Sequence, residues 1–517
     1  NYYSTNIYSD YFKQYESGHY FKVMAGFNAE LYKTRSLSGQ KNTLISNSVP
    51  TLNTATESPT TSGGYAHNGV AGFFGRINYN YKERYLIELN GRYDGSSRLA
   101  DGHKWVLFPS AALAWRINEE SFMSSTSGWL DNLKLRLGFG KTGNSAVDPY
   151  QTKGTLSLIR YPFDNGGTPT IGYAPNAMAN SLLTWETTDQ WNLGIDFGVL
   201  RGRINGTIDL YMQNTHDLLL KRQLPVVSGF PDVLSNVGKT RNKGIEVSIN
   251  SMNINSKDFQ WTTDLMLSSN KEEIVELYNG KNDDIGSKWF IGQPVNVHYD
   301  YRKVGIWQNT ESDLAEMAKF AANGTEFAPG DIKIQDVNGD YKITDADKQI
   351  LGNPRPKLIA SMVNTFNYKG FDLSVFLYAS FGAMLYNDIY AVEHCGRNGG
   401  VKVDYWTPNN PTNAYPRPSI DEERPIYITS TYYEKADFLR VKTMTLGYTL
   451  PKTLTNKFLV EKLRDYFTAQ NPFIFTNYTG IDPEAAKVNS AGNPETNGSG
   501  FGTPSVSSWI FGINLTL

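Results

Sequence analysis

The residues with the clearest ligand chemistry lie in one stretch, DVNGDYKITDAD, Asp336 to Asp347. Asp336, Asn338 and Asp340 take the first, third and fifth places of an EF-hand-like loop. The backbone carbonyl of Lys342 falls at the seventh place and the carboxylate of Asp347 at the twelfth. Hard oxygen donors at that spacing wrap one Ca²⁺. Two positions depart from the pattern: Tyr341 stands where Gly normally permits the sharp turn, and Asp347 is shorter than the usual Glu. An Asx-rich surface turn, which DVNGD forms unaided, is the competing reading. In either case the stretch would pin a loop and would not catalyse. No carboxylate pair among the 51 Asp and Glu is singled out by spacing as a general acid and base.

Composition removes several other chemistries. Net charge is −2, with no basic run, so nucleic acid is not expected as a partner. Cys395 is the single cysteine, which leaves no internal disulfide and no Cys-based zinc site. The six His are scattered, and His394 beside Cys395 reads as chance neighbours in a loop. Charged residues are 19 % of the chain, below the usual share of about 25 %, while aromatics reach 13 %. No apolar run is long enough for a membrane helix.

The elements that must position any site are strands. In YLIELNGRYD, Tyr85, Ile87, Leu89, Gly91 and Tyr93 fall on one side, and Leu86, Glu88, Asn90, Arg92 and Asp94 on the other. That period-two rhythm marks a strand with one apolar and one wet face. It recurs at 73–81, 133–139, 191–197, 204–212, 245–249, 259–267, 371–379 and 509–517, giving about 15 candidates, many longer than the strands of soluble sheets. Their connections alternate between tight turns (81–85, 198–203, 255–259, 367–371) and long polar stretches (Thr34–Asn68, Thr142–Leu183, Asn214–Gly238, Asn279–Pro356, Phe381–Ala436). Outer-membrane barrels have this asymmetry. Tyr85 and Tyr93 are about 26 Å apart along a strand, close to the height of an apolar band once the strand tilts. The expected fold is all-β, a transmembrane antiparallel barrel whose apolar face meets lipid. Two helical segments are expected, Glu311–Asn323 with Leu314, Met317, Ala318 and Ala321 on one face, and Pro451–Leu463 at a periplasmic connection. Trp307 and Trp406 are aromatics able to stack on sugars, although loop tryptophans more often pack.

Several long, ordered segments carry a resemblance: NYNYKERYLIELNGRYDGSSRLADGHKWVLFPSAALAWRI (78–117), LKLRLGFGKTGN (133–144), NVGKTRNKGIEVSIN (236–250), PGDIKIQDVNGD (329–340), ILGNPRPK (350–357) and QNPFIFTNYTGIDPE (470–484). They closely resemble SusC/RagA-type TonB-dependent outer-membrane transporters. The resemblance implies the C-terminal part of a 22-stranded, plugged barrel. The plug, the TonB-contacting segment and the first strands would come from elsewhere, in the same polypeptide or a second chain. It further implies localisation in a Gram-negative outer membrane, energy from TonB, and a SusD-like surface lipoprotein as lid. The activity implied is import of oligomeric nutrients, glycan or peptide, with no enzyme activity. The alternatives are a passive porin and a soluble calcium-binding β-rich polysaccharide enzyme. Substrate-binding residues are not identified. Leu517 stands where such chains commonly end in an aromatic.

Overall fold

A computed structural model describes residues 1–163, 170–387, 402–418, 424–458, 460–484 and 505–517; His394 and Cys395 lie outside them. The alternating segments become one antiparallel sheet of 15 strands in which each strand pairs with its sequence neighbours in the wall. The strands are Tyr2–Gln14, His19–Leu44, Ala55–Tyr81, Tyr85–Ser96, Trp105–Arg116, Leu130–Asn144, Glu186–Val199 and Ile204–His216, followed by Lys239–Asn255, Phe259–Glu276, Leu358–Tyr368, Phe371–Phe381, Phe438–Thr449, Lys462–Thr476 and Ser508–Thr516. A meander of this kind sends every second connection to the same side. On one side lie the joins 14–19, 81–85, 116–130, 199–204, 255–259, 368–371 and 449–462. On the other lie 44–55, 96–105, 144–186, 216–239, 276–358, 381–438 and 476–508.

Tight joins require backbone that twists with the strands. Lys82 and Glu83 have φ of 52° and 54°, and Lys369 and Gly370 have 45° and 91°. Consecutive positive φ values are what two-residue hairpin turns need, and glycine at 370 accepts the larger one without steric cost.

Register decides which face is wet. Leu137, Leu193, Leu210 and Ile245 stand side by side across four strands, each 40–47 % exposed. A row of large aliphatic side chains left this open makes sense only against lipid. Aromatic rings bound the row above and below. Toward the long connections, Phe27 pairs with Phe73, Tyr93 with Trp105 and Phe139 with Trp191, at centroid separations of 5.0, 5.2 and 4.8 Å. Toward the tight turns, Tyr85 stacks on Trp115 and Phe371 on Tyr448. Glu120 accepts from both Tyr85 Oη and Trp115 Nε1, so the polar ends of two girdle rings are held at the water side.

Two expectations change. The stretch Thr34–Asn68 is not a polar loop: the flanking strands run on as a hairpin paired from Tyr32–Asn68 out to Leu44–Ala55. Its Ser, Thr and Gly residues lack an apolar face because this part rises beyond the apolar band, and main-chain bonds do not need one. The helix forms at Glu311–Ala322, capped by Thr310, but its buried residues are Met317 and Phe320, with Leu314 44 % exposed. Lys333 sets this rotation by drawing Asp313 and Glu316 to the same face. The segment from Pro451 forms a short helix, Lys452–Thr455, and a 3-10 turn on the tight-turn side.

The face assignment predicts a contrast between adjacent residues. Leu193→Arg should cost about 2–4 kcal/mol near the middle of the band, whereas Asn192→Arg should fold almost normally. Urea titrations after refolding into lipid vesicles measure both; equal losses would reverse the faces.

Candidate functional site

The inner face carries the charge. Glu88 accepts from Asn78 Nδ2 at 2.6 Å and from Asn90 Nδ2 at 2.9 Å, and Arg76 Nε donates to Asn90 Oδ1 at 2.6 Å. Farther round, Arg136 donates to Asp196 at 2.9 Å and to both oxygens of Asp209 at 3.1 Å, while Lys134 lies 3.3 Å from Asp196. Arg464 pairs with Asp372 in the same manner. These side chains are about one-fifth to one-half exposed. Half-solvated pairs contribute only about 0–1 kcal/mol each, so they do not hold the wall together. What they provide is a hydrated inner surface whose charges are mostly neutralised by neighbours.

A glycine makes each long-reaching pair possible. Arg136 and Asp209 sit on strands separated by one other, and the residue between them in register is Gly194. A Cβ at 194 would lie 2.5 Å from Arg136 Cζ and 2.6 Å from Asp209 Oδ1. Gly447, in register with Asp372, lies under the diagonal reach of Arg464, whose own register partner is Thr449. The missing side chain is the bridge's floor. These clusters were not legible in the chain, because their partners are neighbours only through cross-strand register.

On the side of the long connections the chain folds back on itself. Ile306, Ile332 and Ile334 of the 276–358 connection pack with Trp406, Tyr415, Ile428 and Tyr432 of the 381–438 connection. Polar links cross the same seam. Trp406 Nε1 donates to Gln308 Oε1 at 2.8 Å, and Arg417 Nε pairs with Asp331 at 2.8 Å. Tyr433 Oη donates to Asp300 at 2.9 Å, and burial, with Asp300 beside it, pushes that phenol well above its ordinary range. Trp307 is fully buried against Phe320 and Phe327, with Lys333 Nζ 4.0 Å above its ring. Trp307 and Trp406 therefore serve packing and present no open ring to a sugar. A second loop core gathers Leu99, Phe108, Val147, Leu183 and Trp185. Arg440, nearly fully buried, pairs with Asp482 and anchors the following connection to the wall.

The five calcium-like positions are brought into one turn. Asp336 accepts from the backbone N–H of Gly339 at 2.7 Å and of Tyr341 at 2.8 Å. Asn338 accepts from Asp340 N, and Asp340 from Lys342 N. Asp347, fully buried, accepts from Val337 N and Thr344 N, closing the loop on itself. Tyr341 takes the glycine-like conformation, φ 57°, with its ring packed on Phe320. Among the described residues no three His, Cys, Asp or Glu side chains converge to hold a metal. The turn stands on its own hydrogen bonds.

The family model for TonB dependent receptor-like β-barrels matches residues 1–455. "TonB-dependent receptor P26" of Formosa agariphila is 34 % identical over 489 residues, covering 91 % of this chain and 48 % of that protein. "TonB-dependent receptor SusC" of Bacteroides thetaiotaomicron is 34 % identical over 436 residues, covering 81 % and 41 %. The chain thus spans about half the length of the curated relatives it matches. The transporter in the structure of the RagAB peptide transporter superposes with a TM-score of 0.82 at 23 % identity, over 99 % of this chain and 55 % of that one, which speaks for the fold.

The bridging glycine gives a clean test. Gly194→Ala should push the Arg136 guanidinium off Asp209 and, because both ends are flexible and partly solvated, lower stability by no more than about 1 kcal/mol. Gly138→Ala, whose new methyl would meet only Asn192 Cβ at 3.9 Å, should cost far less. Unfolding in vesicles compares the two.

Proposed function

The chain belongs to the TonB dependent receptor-like β-barrels, proteins of the outer membrane, and from that premise we propose that it forms the larger part of the wall of an active importer of oligomeric nutrients, glycan or peptide. The carrying observation is the pairing of a hydrated, charge-lined inner face with a folded cap on one side only. A passive porin needs the first and has no use for the second. The soluble-enzyme reading falls with the membrane fold.

In this proposal the sheet is completed by further strands. The edges Tyr2–Gln14 and Ser508–Thr516 have no partner on their outer sides among the described residues, and an open edge in hydrocarbon costs several kcal/mol for each unpaired group. Those strands, a plug and the contact with TonB come from a longer polypeptide or a second chain; the half-length match to relatives supports the first. A SusD-like lipoprotein covers the cap. Val226 and Val227, at the tip of the hairpin 219–236, are 94 % and 95 % exposed and offer it an apolar foothold.

Calcium belongs to the same proposal as a reinforcement of the cap. Asp336, Asn338 and Asp340, with the Lys342 carbonyl and Asp347, are the donors, and because their carboxylates do not converge in this structure they would have to turn from the backbone N–H groups toward the ion. Trp307 reports on the turn through Phe320 and Tyr341.

Three measurements test these points. Uptake of labelled oligosaccharide or peptide by cells should stop when the proton-motive force collapses or TonB is removed; undiminished uptake would identify a porin. Photocrosslinkers at Val226 should capture the surface lipoprotein, and those at Lys82 or Lys369 should not. Calcium should shift Trp307 fluorescence in the wild type and not after Asp336→Ala with Asp340→Ala; equal traces would leave a plain Asx turn.

A further inference from the structure

A cavity of about 270 Å³ opens among the long connections, above the loop core at Leu99. Its charged lining is Arg98, Lys104, Lys153 and a single carboxylate, Asp101. Lys104 Nζ sits 2.6 Å from Asp101, and Lys104, with Lys153 adding to it, holds that carboxyl below its usual range. The one anion is therefore already matched. Among the described residues Arg98 Nε is shut off from solvent and has no hydrogen-bond partner. Lys153 is exposed and has only the weaker pull of the same Asp101, which Lys104 already holds. Three cations thus share one carboxylate around one cavity.

The wall opposite is held in place at some expense of backbone comfort. Tyr150 lines the cavity with φ of 70°, the left-handed region that a tyrosine seldom enters. Its hydroxyl is bound at both ends of one residue, 2.7 Å from His67 Nδ1 and 3.3 Å from His67 N, which donates to it. Strained residues held this firmly occur where a binding surface is being shaped. Arg98 as a whole is half-buried, but a guanidinium nitrogen closed off from solvent with no partner is costly unless something supplies one.

The geometry points to an oxoanion subsite here, in which Arg98 and Lys153 take a sulfate, phosphate or carboxylate group presented from the outside. Arginine's fork suits two oxygens of such a group, and lysine contributes a point charge. The group has two possible carriers, a soluble anionic molecule or an outer-leaflet lipid phosphate. His67 lies about 20 Å along its strand beyond the girdle residue Phe73, a height that favours the soluble carrier. The site is independent of which nutrient passes the lumen.

The test uses the full-length protein with its partner in detergent. Sodium sulfate and inorganic phosphate are titrated calorimetrically against sodium chloride at matched ionic strength, and a second arm uses vesicles with and without phosphate-bearing lipid. One saturable site per chain is expected for sulfate or phosphate, weakened at least tenfold in Arg98→Gln and in the exposed-residue variant Lys153→Gln. Binding in the salt arm identifies the soluble carrier; variant-sensitive binding in the vesicle arm alone identifies the lipid and still supports the subsite. Equal behaviour of wild type and Lys153→Gln in both arms, or a heat that chloride reproduces, overturns it.

Discussion

The structure depends on one constraint: in hydrocarbon no water is available to satisfy a backbone N–H or C=O. Every strand crossing the band must therefore be bonded along both edges. The continuous antiparallel ladder from Tyr2–Gln14 to Ser508–Thr516 meets that demand for all strands between its ends. The stability of the wall lies in this ladder and in the girdle rings, not in its side-chain charges. That frees the inner face to carry polar and charged residues.

Because the ladder fixes register, it also fixes which inner residues meet. Arg136 reaches Asp209 only because a residue without a side chain lies between them, and Asp372 reaches Arg464 past Gly447 by the same device. Strand order and side-chain size together thus convert isolated charges into paired ones, and a small residue in the wall becomes as consequential as a charged one.

The meander divides labour between the two ends. Tight turns need only a few residues of positive φ, and among the described residues that end carries little beyond short helical turns and the ring supports at Glu120. All the spare chain leaves from the other end, where its own hydrophobic cores join separate connections into a cap. A loop that packs against another loop keeps its shape without lipid or ladder, so the cap can present fixed surfaces and the cavity beside Arg98.

The sequence alone determined the strands, their two faces and the side to which the long connections go, because period-two alternation and connection length are local properties of a chain. Leu193 and Asn192 could be assigned to opposite faces from their neighbours alone. The hairpin at Thr34–Asn68 escaped, since a strand outside the band has no apolar face to show. The rotation of the helix at Glu311–Ala322 escaped too, because Lys333, outside the helix and farther along the same connection, sets it. The oxygen-rich turn at Asp336 was visible, but whether its oxygens face a backbone or an ion is a matter of direction. Only the tertiary structure decided the ion clusters, the burial of Trp307 and Trp406, and the unpartnered Nε of Arg98. Each depends on which strands and loops become neighbours, and the main-chain ladder and loop packing settle that across separations that no local pattern encodes.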